Sequence, residues 1–321
     1  MKPSLLIAAT LAFSVAGGSS ALALEKPADG FPERPLTIIV PFGPGGGSDN
    51  VSRAWAGAME PVIGRPLQVV TMPGAGGLAA IPEFMGAAKD GYTILQTIDS
   101  APADYVTGRL PQNPATDWAP LCATQITFNQ FYINSADDRF SNWEEFAAVA
   151  ANQRMTVALV GGPGTSKRLI MDQLAGQLDL NLSAVAFDRP SERFGALLGQ
   201  QVDALITQPG DVRSFVAEGD FVPILTVFDS RPDAFADVPT HFDVGADFVP
   251  LLRFRGFWSH PDVPAERREY LEAACAIAFE DENYQAFNQE NFMHLIDSFR
   301  DSEGFRQLIE ETIAAYREGA R

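Results

Sequence analysis

Short apolar runs alternate along the chain with longer stretches in which apolar residues recur at helical spacing. "LTIIV" (36–40) precedes a helical pattern over 49–62, and "LQVVT" (67–71) precedes a loop and a helix over 78–88. "YTILQTI" (92–98) follows, then "ATQITFNQFYIN" (123–134), read as one extended run. "SNWEEFAAVAANQ" reads as a helix opened by a capping box, Ser141 with Glu144 three residues on. "MTVALV" (155–160) leads through a glycine loop into a helix. "LSAVAFD", "VDALIT" and "VPILTVF" are then interleaved with "SERFGALLGQQ" and "PGDVRSFVAEG". The proline-rich "RPDAFADVPTHFDVG" is a long loop, "FRGFWSHP" a strand, and helices begin near Ala265, Asp281 and Ser302. Strand–helix alternation of this kind predicts βαβ units and parallel sheets, an α/β fold. The strand–glycine-loop–helix unit occurs in both the first and the middle third, which predicts two similar lobes.

The first residues change the picture of where the protein works. Lys2, the apolar stretch from Leu5 to Ala16 and the small residues around Ala21 and Ala23 read as a secretory signal peptide, residues 1–23, cleaved after Ala23. The apolar stretch is shorter than the roughly 20 residues a membrane span needs. The sequence therefore predicts a mature protein in the periplasm. Removing 23 of 321 residues leaves about 298, a length at which one core usually divides into two. The formal net charge of −18 excludes a nucleic-acid partner, since no basic surface can replace counterions around phosphate. Two cysteines, Cys122 and Cys275, leave open a single disulfide, and the three histidines are not at metal-ligand spacing, so no metal is expected.

Three glycine loops carry the candidate chemistry. The first covers residues 43–49 ("GPGGGSD"), the second 73–77 ("PGAGG") and the third 161–166 ("GGPGTS"). Each stands where a strand end meets a helix start, the position at which open α/β sheets bind ligands. Glycine lets an anion approach the backbone amides, and the helix dipole adds positive potential. A carboxylate fits such a nest without any arginine. The nucleotide alternative fails on spacing: "GPGGGS" lacks the lysine of a phosphate-binding loop, and no acidic residue ends a second strand at the dinucleotide distance. No cofactor is expected. No serine occupies a G-x-S-x-G elbow, so no catalytic residue is assigned.

"RPLTIIVPFGPGGGSD", followed by "IGRPLQVVTMPGAGGLAA" and "AKDGYTILQT", resembles the solute receptors of tripartite tricarboxylate transporters, the Bug-type periplasmic binding proteins. The resemblance runs from about Phe31 to the C-terminus and is strong again around "DVPTHFDVG" and "RGFWSHPDVPAE". It implies a two-lobed class II periplasmic binding protein fold, a Venus flytrap in which each lobe is a mainly parallel sheet flanked by helices. The first lobe would comprise residues 24–128 plus 250–321 and the second 129–249, with hinges near 128–131 and 249–253. A small di- or tricarboxylate would be captured by lobe closure and delivered to membrane permease subunits, the receptor acting as a monomer and not as an enzyme. An aromatic, phthalate-like acid, a sensor role beside a membrane kinase and an exported hydrolase are the competing readings.

The resemblance also implies the site. The first loop supplies Phe42, Pro44, Gly45, Gly46, Ser48 and Asp49, the last also placed to cap its helix. The second supplies Pro73, Gly74, Ala75, Gly76 and Gly77, and "TIDSAP" adds Asp99 and Ser100. The second lobe contributes Gly162, Thr165, Ser166, Phe187, Asp188, Thr207 and Gln208. The family usually has no arginine clamp, yet Arg189 in "FDRPSE" and Arg255 in "RFRGFW" fall near the expected cleft. Arg255 could pair with a distal carboxylate, bridge the lobes or sit on the surface.

Overall fold

The computed structural model describes residues 24–160 and 165–319. The signal-peptide expectation (residues 1–23) and Gly162 lie outside the described residues. No helix among them is long and apolar enough to cross a membrane.

The first part of the chain forms β1 (Leu36–Val40), α1 (Gly47–Ile63), β2 (Leu67–Thr71), α2 (Ile81–Gly86), β3 (Thr93–Ile98), α3 (Ser100–Val106) and β4 (Ala119–Thr127). It then forms β5 (Asn129–Asn134), α4 (Trp143–Ala150), β6 (Met155–Leu159), α5 (Ser166–Gln177), β7 (Leu182–Ala186), α6 (Pro190–Leu198), β8 (Ala204–Thr207), α7 (Arg213–Ala217) and β9 (Phe221–Val227). β10 (Arg253–Ser259), α8 (Ala265–Phe279), α9 (Glu282–Glu290) and α10 (Ser302–Gly319) complete it.

The strands build two five-stranded sheets, β2-β1-β3-β10-β4 and β7-β6-β8-β5-β9. They follow one plan. In each, four strands run in one direction, and one strand that has just crossed from the other sheet inserts antiparallel: β10 between β3 and β4, and β5 between β8 and β9. β4 and β5 are buried along nearly their whole length, as strands covered on both faces must be. That continuous apolarity hides a break. The run read as one strand is two, parted at Phe128, with its halves in different sheets. Phe128 is fully buried with Phe235 and Val238, and Phe228, Leu252 and Phe292 pack on them, so the crossings have a small core of their own.

Helices cover both faces of each sheet. In the first, Trp55 and Met59 of α1 pack with Leu271 of α8 on one side, while Phe84, Trp118 and Ile309 of α10 fill the other. In the second, Phe146, Ile170 and Leu174 occupy one side and Leu197, Val212 and Phe221 the other. A disulfide joins Cys122 of β4 to Cys275 of α8, with Cα atoms 6.6 Å apart. The capping of α4 is shifted by one residue from the sequence expectation. Asn142 is the N-cap and accepts the Glu145 amide at 3.0 Å, while Glu145 reaches back to the Ser141 amide at 2.7 Å. Asn142 wins because Trp143 must be the first helical residue if it is to be buried with Phe146.

Candidate functional site: a charged cleft between two sheets

β1 ends at Val40 and the chain turns through residues 41–46 into α1, whose N-cap is Gly46. Asp49 is buried here, but it does not cap the helix. Its carboxylate folds back to accept the Gly45 amide at 2.9 Å and pairs with Arg53 at 2.9 Å. The loop is thereby braced from behind, leaving Gly46, Gly47 and Ser48 facing the second sheet. Contact is close: a Cβ on Gly46 would lie 2.9 Å from Pro190 of α6, and one on Gly47 would collide with Arg255 and Asp211. Only hydrogen at these two positions lets the lobes approach so nearly.

Two small cavities of about 40 Å³ each lie in this interface and share Gly46, Gly47, Asp211 and Arg255. The first is lined from one side by Phe42, Ser48, Ile98, Arg253 and Arg255, and from the other by Lys167, Asp188, Pro190, Arg193, Gln208 and Asp211. Gly45, Asn50, Gln125, Arg213 and Asn291 line the second. Residues two apart on a strand share a face, so the "RFR" of β10 aims both Arg253 and Arg255 at the cleft. Arg253 pairs with Asp99 at 3.0 Å and Arg255 with Asp211 at 2.9 Å, all four side chains nearly excluded from solvent. Asp99 also accepts the hydroxyls of Ser166 and Tyr316, the latter at 3.2 Å, so α10 and α5 converge on it. Asp211 accepts Thr207 Oγ1 at 3.0 Å, and Arg255 donates further to Gln125 at 3.0 Å.

Electrostatics here follow from burial. Burial pulls the Lys167 ammonium well below its usual range; the neighbouring Arg253 and Arg193 act the same way, against Asp211 and Asp99. Burial likewise draws Arg193 down to about 10. For Asp211 burial favours the protonated acid, yet Arg255, Lys167, Arg193 and Arg253 together hold its carboxyl below the ordinary value. The cleft is therefore rich in basic groups inside a protein of net charge −18.

The expected site residues divide into three groups. Phe42, Gly46, Ser48, Asp188 and Gln208 line the first cavity and Gly45 the second. Asp99, Ser166 and Thr207 stand one layer behind, bonded to the cleft's cations or to each other's partners. Thr165 is the N-cap residue of α5, and Ser100 begins α3. The remaining residues do not line either cavity. Pro44 is exposed, Asp49 braces its own loop, and Phe187 packs with Leu197 and Phe221. The second glycine loop, Pro73, Gly74, Ala75, Gly76 and Gly77, turns away: Gly77 packs on the Phe42 ring and Arg109 donates to the Ala75 carbonyl at 3.2 Å. It reaches the cleft only through Phe42. Arg189 points to solvent, 71% exposed and paired with Glu192.

Lys167, Arg193, Arg253 and Asp211 were not anticipated from sequence. The two β10 arginines carried a signal, alternation within an otherwise buried strand. Lys167 and Arg193 carried none, because each occupies a helix position where a charge is ordinarily solvated.

The family model described as tripartite tricarboxylate transporter family receptor matches residues 51–319. BugT of Bordetella pertussis is 34% identical over 236 residues, 71% of each chain. MatC of Rhodopseudomonas palustris, solved with bound malate, superposes with a TM-score of 0.81 at 22% identity, over 91% of this chain and 100% of that one. An R. palustris protein solved with adipate gives 0.80 at 16% identity, over 90% and 97%. These structures share the two-lobed fold.

Proposed function

Because the chain belongs to the tripartite tricarboxylate transporter receptor family, we propose that it is a periplasmic receptor for a small organic carboxylate, which it passes to the membrane permease of such a transporter. The observation that carries this reading is the cleft itself. Gly47 and Ser48 at the start of α1, with Arg253 and Arg255 of the same lobe beside them, face Lys167 and Arg193 across a cavity between the two sheets. An anion placed there meets a helix dipole and guanidinium groups together. The malate and adipate held by the two R. palustris proteins are acids of the same kind.

Capture proceeds by lobe closure. Residues 24–128 with 250–321 form one lobe and 129–249 the other, and the crossings near Phe128 and Leu252 act as hinges. The donors belong to different lobes: Gly46 to Ser48, Arg253 and Arg255 on the first, Lys167, Arg193 and Gln208 on the second. Only the closed arrangement offers both sets, so ligand shifts the balance toward it. Phe42, Gly45, Gly46, Ser48, Asp188 and Gln208 are the contacts, and Asp99, Ser166 and Thr207 hold the cations in place. No step of chemistry is required, and the receptor works as a monomer.

Thermal-shift titration of the mature protein against a panel of organic acids tests this. A ligand at 100 times its Kd stabilises by about 2.7 kcal/mol, a readily measured rise in Tm. A flat response to every di-, tri- and aromatic carboxylic acid would end the reading.

A further inference from the structure

The basic side chains of the cleft are not all paired. Four of them (Lys167, Arg193, Arg253 and Arg255) and two carboxylates (Asp99 and Asp211) are nearly excluded from solvent, while Asp188 lines the cavity from an exposed position. Both carboxylates are already committed. Asp99 takes Arg253, Ser166 and Tyr316, and Asp211 takes Arg255 and Thr207. Lys167 and Arg193, 1% and 4% exposed, have no carboxylate partner among the described residues. Lys167 Nζ reaches only Thr207 Oγ1, at a long 3.4 Å. Arg193 Nε is buried with no hydrogen-bond partner, its guanidinium merely lying 4.9 Å above the neighbouring Phe194 ring. Both side chains line the first cavity.

An unpaired buried cation is costly, and here two basic groups without a carboxylate partner line one cavity. Lys167 bears a further penalty, since it is the second residue of α5, where the helix dipole repels a positive charge. A second carboxylate set against Lys167 and Arg193 gives both unpaired groups the partner they lack. A monoanion held at the start of α1 does not. Both sets of groups line the same small cavity, so a short skeleton can reach both.

We propose that Lys167 and Arg193 are the specificity residues of the receptor, and that they restrict it to compact dianions, short dicarboxylates whose second charge they receive. This rests on the carboxylate-receptor reading above. The first charge lies against Gly47, Ser48 and the β10 arginines, and the second against α5 and α6. One molecule thus ties the two sheets together only if it carries charge at both ends.

Isothermal titration of the mature protein with malonate, malate and succinate, against propionate and butyrate, tests the charge requirement at matched chain length. The variants are Arg193→Met and Lys167→Met, with Arg193→Lys to restore charge. Dianions should bind at least 100-fold more tightly than monoanions to the native protein, and each methionine variant should lose about 100-fold toward dianions. Arg193→Lys should recover part of that loss. Ligand-free methionine variants should melt at or above the native temperature, because an uncompensated charge has been removed; a purely structural pair would instead lower it. Dianion affinity within threefold of native in either methionine variant overturns the proposal. So does native protein that binds a monocarboxylate as tightly as its dicarboxylate counterpart, which leaves the receptor reading intact. Failure to bind any organic acid overturns both.

Discussion

The two glycine loops of the first sheet have nearly the same composition and opposite fates. In the first, α1 begins at once, at Gly47, and its opening turn faces the second sheet, with Pro190 and Asp211 from that side and Arg255 of its own sheet pressing against the backbone. Glycine is needed there because there is no room for a Cβ. In the second, Gly74, Ala75, Gly76 and Gly77 all have positive φ (143°, 50°, 69° and 106°), and the chain enters a tight 3₁₀ turn before α2. Glycine is needed there for backbone conformation, and the loop's neighbours are Phe42 and Arg109 of its own lobe. A glycine-rich corner thus lies at the cleft only when its first turn is aimed across it. The following element decides that, and composition does not.

Substitutions can separate these two uses of glycine. Gly47→Val should have the largest effect, because its side chain collides with the Arg255–Asp211 pair that joins the lobes. Carboxylate affinity should fall by about 1,000-fold, roughly 4 kcal/mol, as measured by calorimetry, with the melting temperature of the ligand-free protein little changed. Removing the disulfide perturbs the first lobe away from both loops. Cys122→Ala with Cys275→Ala opens a loop spanning 153 residues, and should cost about 2–4 kcal/mol in denaturant unfolding while leaving Kd within threefold. Gly76→Ala forces a Cβ onto a residue at φ 69°, and should cost about 1 kcal/mol of stability with no comparable loss of binding. A large loss of binding there would make the second loop part of the site.

A pH dependence lies behind the second loop. Asp104 pairs with the Arg109 that holds Ala75, yet burial outweighs that pairing and raises its carboxyl to about 6, with Asp99 adding to the rise. The folded state therefore binds this proton more tightly than the unfolded chain, whose aspartates titrate near 4. Its contribution to stability is full below about pH 4 and is lost as pH rises toward 6. Asp104→Asn should flatten this slope in urea-unfolding series between pH 4 and 7, without altering ligand affinity.

Much of the fold was legible because its strands announce themselves as apolar runs and its helices by periodicity. The places where reading failed have physical reasons. Phe128 breaks an apolar run that has no glycine or proline to mark the crossing, because the crossing is itself buried. At α4 the helix start moved from Ser141 to Asn142, both good caps, since burial of Trp143 chose between them. The cleft was half legible. Gly46, Ser48 and Gln208 were expected from the family resemblance, while Arg253 was missed although its alternation with Arg255 in a buried strand marked it. Lys167 and Arg193 look like ordinary solvated helix charges, and only packing against the opposite sheet takes them out of water. The sequence expectation placed backbone amides at the site, and the cleft also brings Lys167, Arg193, Arg253 and Arg255 to the same cavity.

A co-crystal structure with the tightest-binding acid of the panel tests the central claim most directly. The account expects one carboxylate within about 3.2 Å of the Gly47 and Ser48 amides, with a second acidic group against Lys167 and Arg193. An acid seated elsewhere would contradict it, whether in the groove between α5 and α10 beside Phe248 and Val249 or against the second glycine loop.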